Sequence, residues 1–259
     1  SLPVIKKIFN EQLRVTKSHM DSFIQNQAIL YQNNKNVQNL INKYKFENTI
    51  DFGCVQSFKY SNKNYSCLYL NMADRVDKLS KTFNFKDVTS FFEIGGGFGA
   101  NIHFLITNFP NIKKILYLDV VPNIFVGTEY LRHHFKEKVK DYLELRNLDK
   151  INFSKNDELE ILCIPPWLIE KVETEIDHFH NAASFVEMPK IVISNYVKFI
   201  KKFKTKEISL ISYDNFDLKT TFNPEKLNNF FDNQLVVSWQ NLLIEEYKRK
   251  LIYLTSNKN

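Results

Sequence analysis

Apolar residues recur at helical spacing through the first third of the chain, then give way to short apolar runs alternating with helical segments. Ile5, Ile8, Phe9 and Leu13, followed by Phe23, Ile24, Ile29 and Leu30, mark helix over residues 1–45. Asn33-Asn34 interrupts it, and a second helix is predicted over 37–44. The aromatic and β-branched content of 58–70 predicts a short strand pair. Residues 71–85 place Met72, Val76, Leu79 and Phe83 on one helical face. From Asp87 strands are predicted near 88–94, 115–119, 159–164, 176–181 and 207–213. Helices fall between them, near 100–109, 122–135, 166–173 and 186–203. Such alternation predicts an α/β chain with a Rossmann-like, doubly wound, mostly parallel sheet. After Tyr213, Pro224 opens a short helix. Two further strands, 235–239 and 250–255, pair antiparallel at the sheet edge. The change of pattern divides a mainly helical N-terminal cap, 1–86, which would bind an acceptor, from a core, 87–259.

Composition narrows the classes. Hydrophobic content of 44% suits a folded chain rather than a disordered one. No apolar run approaches a membrane span. The stretch from Ile5 to Phe9 is broken by lysines and does not read as a signal peptide. Cys54, Cys67 and Cys163 are far apart with no CxxC spacing, so neither zinc nor a disulfide framework is expected, and a cytoplasmic setting is. The net charge of +6 suits an anionic partner, although the lysines are dispersed and coding bias accounts for them better.

The chemistry concentrates in one motif. Four of the six glycines, Gly95, Gly96, Gly97 and Gly99, stand together after an apolar run and before a helical one. Strand, glycine turn and helix let backbone approach a nucleotide-type cofactor. Glu93 precedes the first glycine, and Asp119 ends the next predicted strand, where a carboxylate can accept both ribose hydroxyls. The dinucleotide pattern is met by Gly95, Gly97 and Ala100. Glu93 and Gly99 fit the S-adenosylmethionine (SAM) pattern, acid-x-Gly-x-Gly-x-Gly, better.

With these residues the chain resembles class I, Rossmann-like SAM-dependent methyltransferases. More narrowly, it resembles the sugar O-methyltransferase family of bacterial surface-glycan loci. Residues 92–99, residues 117–122 with Glu129-Tyr130-Leu131, and Asn181-Ala-Ala-Ser-Phe-Val-Glu-Met188 followed by Tyr196 carry that likeness. The resemblance implies that Glu93 faces the methionine ammonium while Gly95, Gly97 and Gly99, with Phe98, admit the methionine moiety. It further implies that Asp119 holds the ribose, that Val120 packs on adenine, and that Asn181 belongs to the cofactor site. Ile164-Pro165-Pro166-Trp167 would lie near the adenine, without the acid or amide that most class I enzymes place there. Ile164 stands where amino-methyltransferases of nucleic acids carry Asn or Asp, which argues against nucleic acid as partner.

Methyl transfer to a sugar hydroxyl needs a base. His180, on the predicted fourth strand, is one candidate, and Glu187, at the start of the next helix, the other. The expected acceptor is an anionic nucleotide-linked or phosphorylated sugar, or a phosphoramidate precursor of capsule or surface polysaccharide. A phosphate-type oxygen would need no strong base. His178-x-His180 lacks a third ligand at telling spacing, so no metal is expected. His133-His134 reads as solvated and His103 as facing the N-terminal cap, while Arg75 could pair with the methionine carboxylate but reads more readily as a surface residue. The rival readings are an NAD-dependent oxidoreductase and an inactive binding module with the same fold.

Overall fold

The computed structural model describes residues 29–46, 57–213, 223–244 and 250–256. The helix expected over the first 28 residues and the position of Cys54 lie outside them. Two compact units are present, 1–71 and 72–259.

In the first unit, helix α1 (Lys35–Lys43) starts at Asn34, whose side chain accepts from the Asn36 and Val37 amides and so caps the helix. Strands β1 (Ser57–Tyr60) and β2 (Lys63–Ser66) form the expected antiparallel pair. Tyr31 and Tyr65 both pack on Phe58. Helix α2 (Cys67–Leu79) follows, two turns shorter than the pattern of 71–85 suggested at its C-terminal end. Asn84 there caps a short 3-10 turn, Phe85–Asp87, instead.

The second unit is built on an eight-stranded sheet. Its strands are β3 (Ser90–Ile94), β4 (Lys114–Leu118), β5 (Val139–Lys140), β6 (Glu160–Ile164), β7 (His178–Ala182), β8 (Glu207–Tyr213), β9 (Leu235–Asn241) and β10 (Lys250–Ser256). They lie in the order β5-β6-β4-β3-β7-β8-β10-β9. All neighbouring pairs from β5 to β8 are parallel. β10 runs against both β8 and β9, so the expected antiparallel pair closes one edge of a Rossmann-like mixed sheet. Helices α3 (Ala100–Asn108), α4 (Asn123–Phe135), α5 (Tyr142–Leu145) and α6 (Lys190–Lys202) connect the strands. The two-residue β5 and the one-turn α5 were not foreseen. α5 forms because Asp141 and Glu144 cap it reciprocally.

The two faces of this sheet differ. One carries Phe92, Ile94, Leu116, Leu118, Phe179, Leu210, Ile252 and Leu254, packed with Ile193, Val197 and Ile200 of α6. The other carries a polar row. Cys163, Tyr117, Glu93, His180, Ser209 and Thr255 are successive register partners across six strands. All six are buried. A sheet covered on both sides is ordinarily apolar throughout, so this row marks where the molecule departs from packing alone.

Candidate functional site

The glycine turn leaves the carboxyl end of β3. Gly95, Gly97 and Gly99 all have positive φ, at 73°, 60° and 87°, which a residue with a Cβ adopts only at a cost. The three are not equivalent in space. A Cβ on Gly95 would overlap Ser184, and one on Gly99 would lie 2.9 Å from Leu131 Cγ. A Cβ on Gly97 would meet nothing within 4 Å. Two of the glycines therefore serve packing, and Gly97 opens onto free space. Phe98 is half-buried, with its ring edge-on to Tyr130 at 5.0 Å.

Glu93 sits beneath the turn, 2% exposed. Its Oε1 accepts from Asn101 Nδ2 at 2.9 Å, while buried Oε2 has no partner among the described residues. Loss of water pushes its carboxyl up to about 7. The Asn101 amide pulls the other way, the nearby Asp119 adds to the rise, and the Arg75 charge opposes it. Asn101 was not foreseen. Its place one helical turn past Gly97, with Glu93 eight residues back, is a usable signal only once the turn is known.

Asp119 immediately follows β4 and is buried. Its Oδ2 accepts from the Gly97 amide at 2.8 Å and its Oδ1 from the Val120 amide at 2.7 Å. Desolvation raises its carboxyl from the ordinary value, against those two amide bonds and the Asn123 side chain. A carboxylate has about four lone-pair sites, so Asp119 can still take a further donor. The Tyr117 hydroxyl donates to the Gly97 carbonyl from below, and Gly127 is obligatory because a Cβ there would overlap that phenol. Val120 is half-exposed at the rim. Beyond it a groove of about 420 Å³ opens, lined on its walls by Val121, Phe125, Tyr142, Pro165 and Trp167.

Asn181 ends β7 beside the turn, but its amide is engaged within the protein. Nδ2 donates to the Ile94 carbonyl at 2.8 Å and to Ser184 Oγ, and Oδ1 accepts from the Phe185 amide. It ties β7 to the end of β3 and holds the turn. Glu187 is exposed, at the end of the 3-10 turn Ser184–Glu187.

His180 lies midway along β7 rather than at its end, 3% exposed, with Nδ1 2.8 Å from Ser209 Oγ. Burial is the main cause holding it down to about 3, with His178 and Arg75 adding to the effect, so the ring is neutral at physiological pH. His178 shares the same serine through Nε2 at 2.7 Å and meets Glu207 through Nδ1 at 3.1 Å.

One expectation about the other histidines is corrected, that of a solvated His134. His103 Nδ1 is 2.8 Å from the Tyr130 hydroxyl of α4, and the His103 ring centroid is 4.0 Å from that of His134. His134 is thus half-buried against α3 rather than solvated. α3 and α4 cross here because Gly99 lets Leu131 approach the turn. Arg75, expected at the surface, is half-buried.

Among the described residues no group of three or more metal-ligating side chains occurs, and no helix is long and apolar enough to cross a membrane. Chemically, the turn offers a buried acceptor for one cation at Glu93, a carboxylate for a diol at Asp119, and bare backbone between them.

No family model and no curated protein matches the chain. Solved structures do. A pyocyanin biosynthetic protein is similar at 11% identity and a TM-score of 0.45, over 73% of this chain and 57% of that one. Human N-acetylserotonin methyltransferase, solved in complex with SAM, shows 12% identity and a TM-score of 0.45 over 74% and 54%. A SAM-dependent methyltransferase from Aquifex aeolicus shows 14% and 0.43 over 73% and 93%. The chain spans little more than half the length of the first two. Likenesses this distant carry no weight for activity, which rests on the residues of the chain itself.

Proposed function

We propose that the chain is a SAM-dependent methyltransferase acting on an oxygen of an anionic acceptor, in the class of phosphorylated or nucleotide-linked sugars. One observation carries the reading: a buried carboxylate oxygen of Glu93 without a partner, facing Gly96, where a Cβ would stand 2.8 Å from it, next to Gly97, where a Cβ would meet nothing within 4 Å. A buried unpartnered acceptor costs about 1–3 kcal/mol, more when charged, and a ligand ammonium would offset that cost. Asp119 fits the ribose, since both its oxygens are already oriented by backbone amides and the carboxylate keeps room for a further donor. The groove beyond Val120 fits the adenine by its apolar walls. When bound, SAM supplies a methyl group on a sulfonium, open to in-line attack.

The residues of the chain would then act by binding and orientation. Glu93 holds the amino-acid end of the cofactor and Asp119 its ribose, and Gly97 admits it. Asn181 and Tyr117 fix the turn from either side. His180 is a weak base in this setting, neutral and hydrogen-bonded to Ser209. That supports an acceptor oxygen already anionic, such as a phosphate or phosphoramidate, which needs no proton removed before attack. Positioning would supply most of the rate.

Calorimetry with S-adenosylhomocysteine and NAD tests the cofactor, and a screen for S-adenosylhomocysteine release over nucleotide sugars and phosphorylated sugars tests the acceptor. Binding of NAD alone would overturn the reading. Binding of S-adenosylhomocysteine with no turnover on any acceptor would leave a binding module.

A further inference from the structure

A chain of hydrogen bonds runs between β7 and β8. Glu207 Oε2 lies 3.1 Å from His178 Nδ1, His178 Nε2 lies 2.7 Å from Ser209 Oγ, and Ser209 Oγ lies 2.8 Å from His180 Nδ1. His178 and Ser209 are wholly buried, while the Glu207 side chain is 30% exposed. Phe83, Phe85 and Phe91 wall the His178 ring at centroid distances of 4.8, 5.2 and 5.5 Å.

The chain reads in one direction. A carboxylate only accepts, so His178 Nδ1 carries a hydrogen. Burial lowers His178 from its ordinary value against the pull of Glu207, and it holds His180 down as well, so each neutral ring carries one hydrogen. His178 Nε2 is then an acceptor, and Ser209 donates to it. The hydroxyl has one hydrogen, so Ser209 accepts from His180 Nδ1. The Phe179 carbonyl, which could also take the serine hydrogen, stands farther off at 3.5 Å. His180 Nε2 is left with a lone pair. It makes no hydrogen bond among the described residues, yet unlike Glu93 Oε2 it is not fully buried.

The sheet order says what meets that lone pair. His180 is the register partner of Glu93, one strand spacing of about 4.8 Å away on the same face. β3 lies between β4 and β7. A cofactor held by Glu93 and Asp119 runs over β3 and β4, which leaves β7 to the second substrate.

We infer that Glu207, His178 and Ser209 are positioning residues that hold His180 in its Nδ1–H form, so that Nε2 accepts a hydrogen bond from a hydroxyl of the methyl acceptor and orients it. The inference deepens the methyltransferase reading and rests on it for the ligand. The hydroxyl keeps its hydrogen and stands beside the reacting oxygen.

The test is NMR of the imidazole nitrogens in the whole chain carrying isotope-labelled histidine, with His178→Asn and His180→Asn identifying the signals. Wild type should show both rings as Nδ1–H, the form that the free side chain disfavours. Ser209→Ala should turn His180 to Nε2–H, and Ser209→Thr, which keeps the hydroxyl, should not. Glu207→Leu reads the whole chain, because Glu207 shares no hydrogen bond with His180. Without the carboxylate, His178 donates through Nε2, Ser209 donates to His180 Nδ1, and His180 becomes Nε2–H. With the sugar phosphate or nucleotide sugar that turns over best, Ser209→Ala and Glu207→Leu should raise the acceptor KM about fivefold, with kcat and S-adenosylhomocysteine affinity little changed. Ser209→Thr should restore it. An Nε2–H wild type, a His180 signal indifferent to Glu207, or altered tautomers with an unaltered KM would overturn the inference. If wild type binds no S-adenosylhomocysteine in calorimetry, the methyltransferase reading fails by itself. In that case, or where no sugar turns over, glucose 1-phosphate decides. A shift of the His180 Nε2 signal in wild type that Ser209→Ala abolishes supports the lone-pair site, and no shift overturns it. Each variant is first shown to be folded by its thermal melt. Should Ser209→Ala not fold, Glu207→Leu, at a half-exposed position, carries the same comparisons.

Discussion

Replacing Glu93 by Gln should separate what the site costs the empty protein from what it contributes to binding. Burial lifts the Glu93 carboxyl from 4.5 to about 7. The folded state therefore holds this proton more tightly than the unfolded state does. The associated stability is fully present below pH 4.5 and is lost as pH rises through 7. At about 1.4 kcal/mol per pH unit, roughly 2.5 kcal/mol of that loss falls between pH 5 and pH 8. Gln cannot ionise, keeps an oxygen for Asn101, and titrates nothing. Thermal melts of the ligand-free wild type and Glu93→Gln across that range should diverge, the variant gaining roughly 5–10 °C relative to wild type by pH 8. Every other ionisation is common to both proteins and cancels. Binding shows the opposite sign. A bound ammonium needs the ionised carboxyl, so wild-type affinity for S-adenosylhomocysteine should rise about tenfold from pH 6 to pH 8. Glu93→Gln should bind weakly, without that slope. Parallel melting curves, or a variant that keeps the pH dependence of binding, would refute both the buried titration and the role of Glu93.

The remaining expectations follow from the same geometry. Gly97→Ala should cost only about 1 kcal/mol of stability for its positive φ yet weaken S-adenosylhomocysteine at least tenfold. Gly95→Ala, which collides with Ser184, should instead appear chiefly as a lowered melting temperature. Asn181→Ala strands the Phe185 amide and leaves the Ile94 carbonyl only the longer bond from Ser184 Oγ, and should destabilise by about 2 kcal/mol in denaturant titration; unchanged stability would mean the turn is held elsewhere. Burial is the main cause holding His103 down to about 3, with His134 adding to it. The stability it contributes is present above its ordinary 6.5 and is lost as pH falls, about 2 kcal/mol by pH 5. His103→Asn should flatten that part of the acid limb in pH-dependent melts, and an unaltered limb would refute the assignment. His180→Asn should leave the pH profile of turnover without a missing limb between pH 5 and 9, since the ring is already neutral there.

Much of this molecule was decided locally. A glycine-rich turn after a β-prone run, an acid ahead of it and an acid at the end of the next strand can be read from spacing, because each depends on backbone conformations only a few residues long. So can the order of strands and helices, and the antiparallel pair that closes the sheet. Tertiary structure alone decided what those groups meet. Whether a histidine is a base depends on whether water reaches it, and His180 is buried against Ser209, a residue 29 positions away. Asn181 sits in the right segment, but its amide is consumed by Ile94 and Phe185, which only the pairing of β7 with β3 brings within reach. The helical reading of His103 and His134 was sound, and only the crossing of α3 and α4 put the rings together. Glu93 shows the division most clearly. Its position was set by the chain, while its lifted carboxyl and its unpartnered oxygen were set by the desolvation that a sheet covered on both faces imposes.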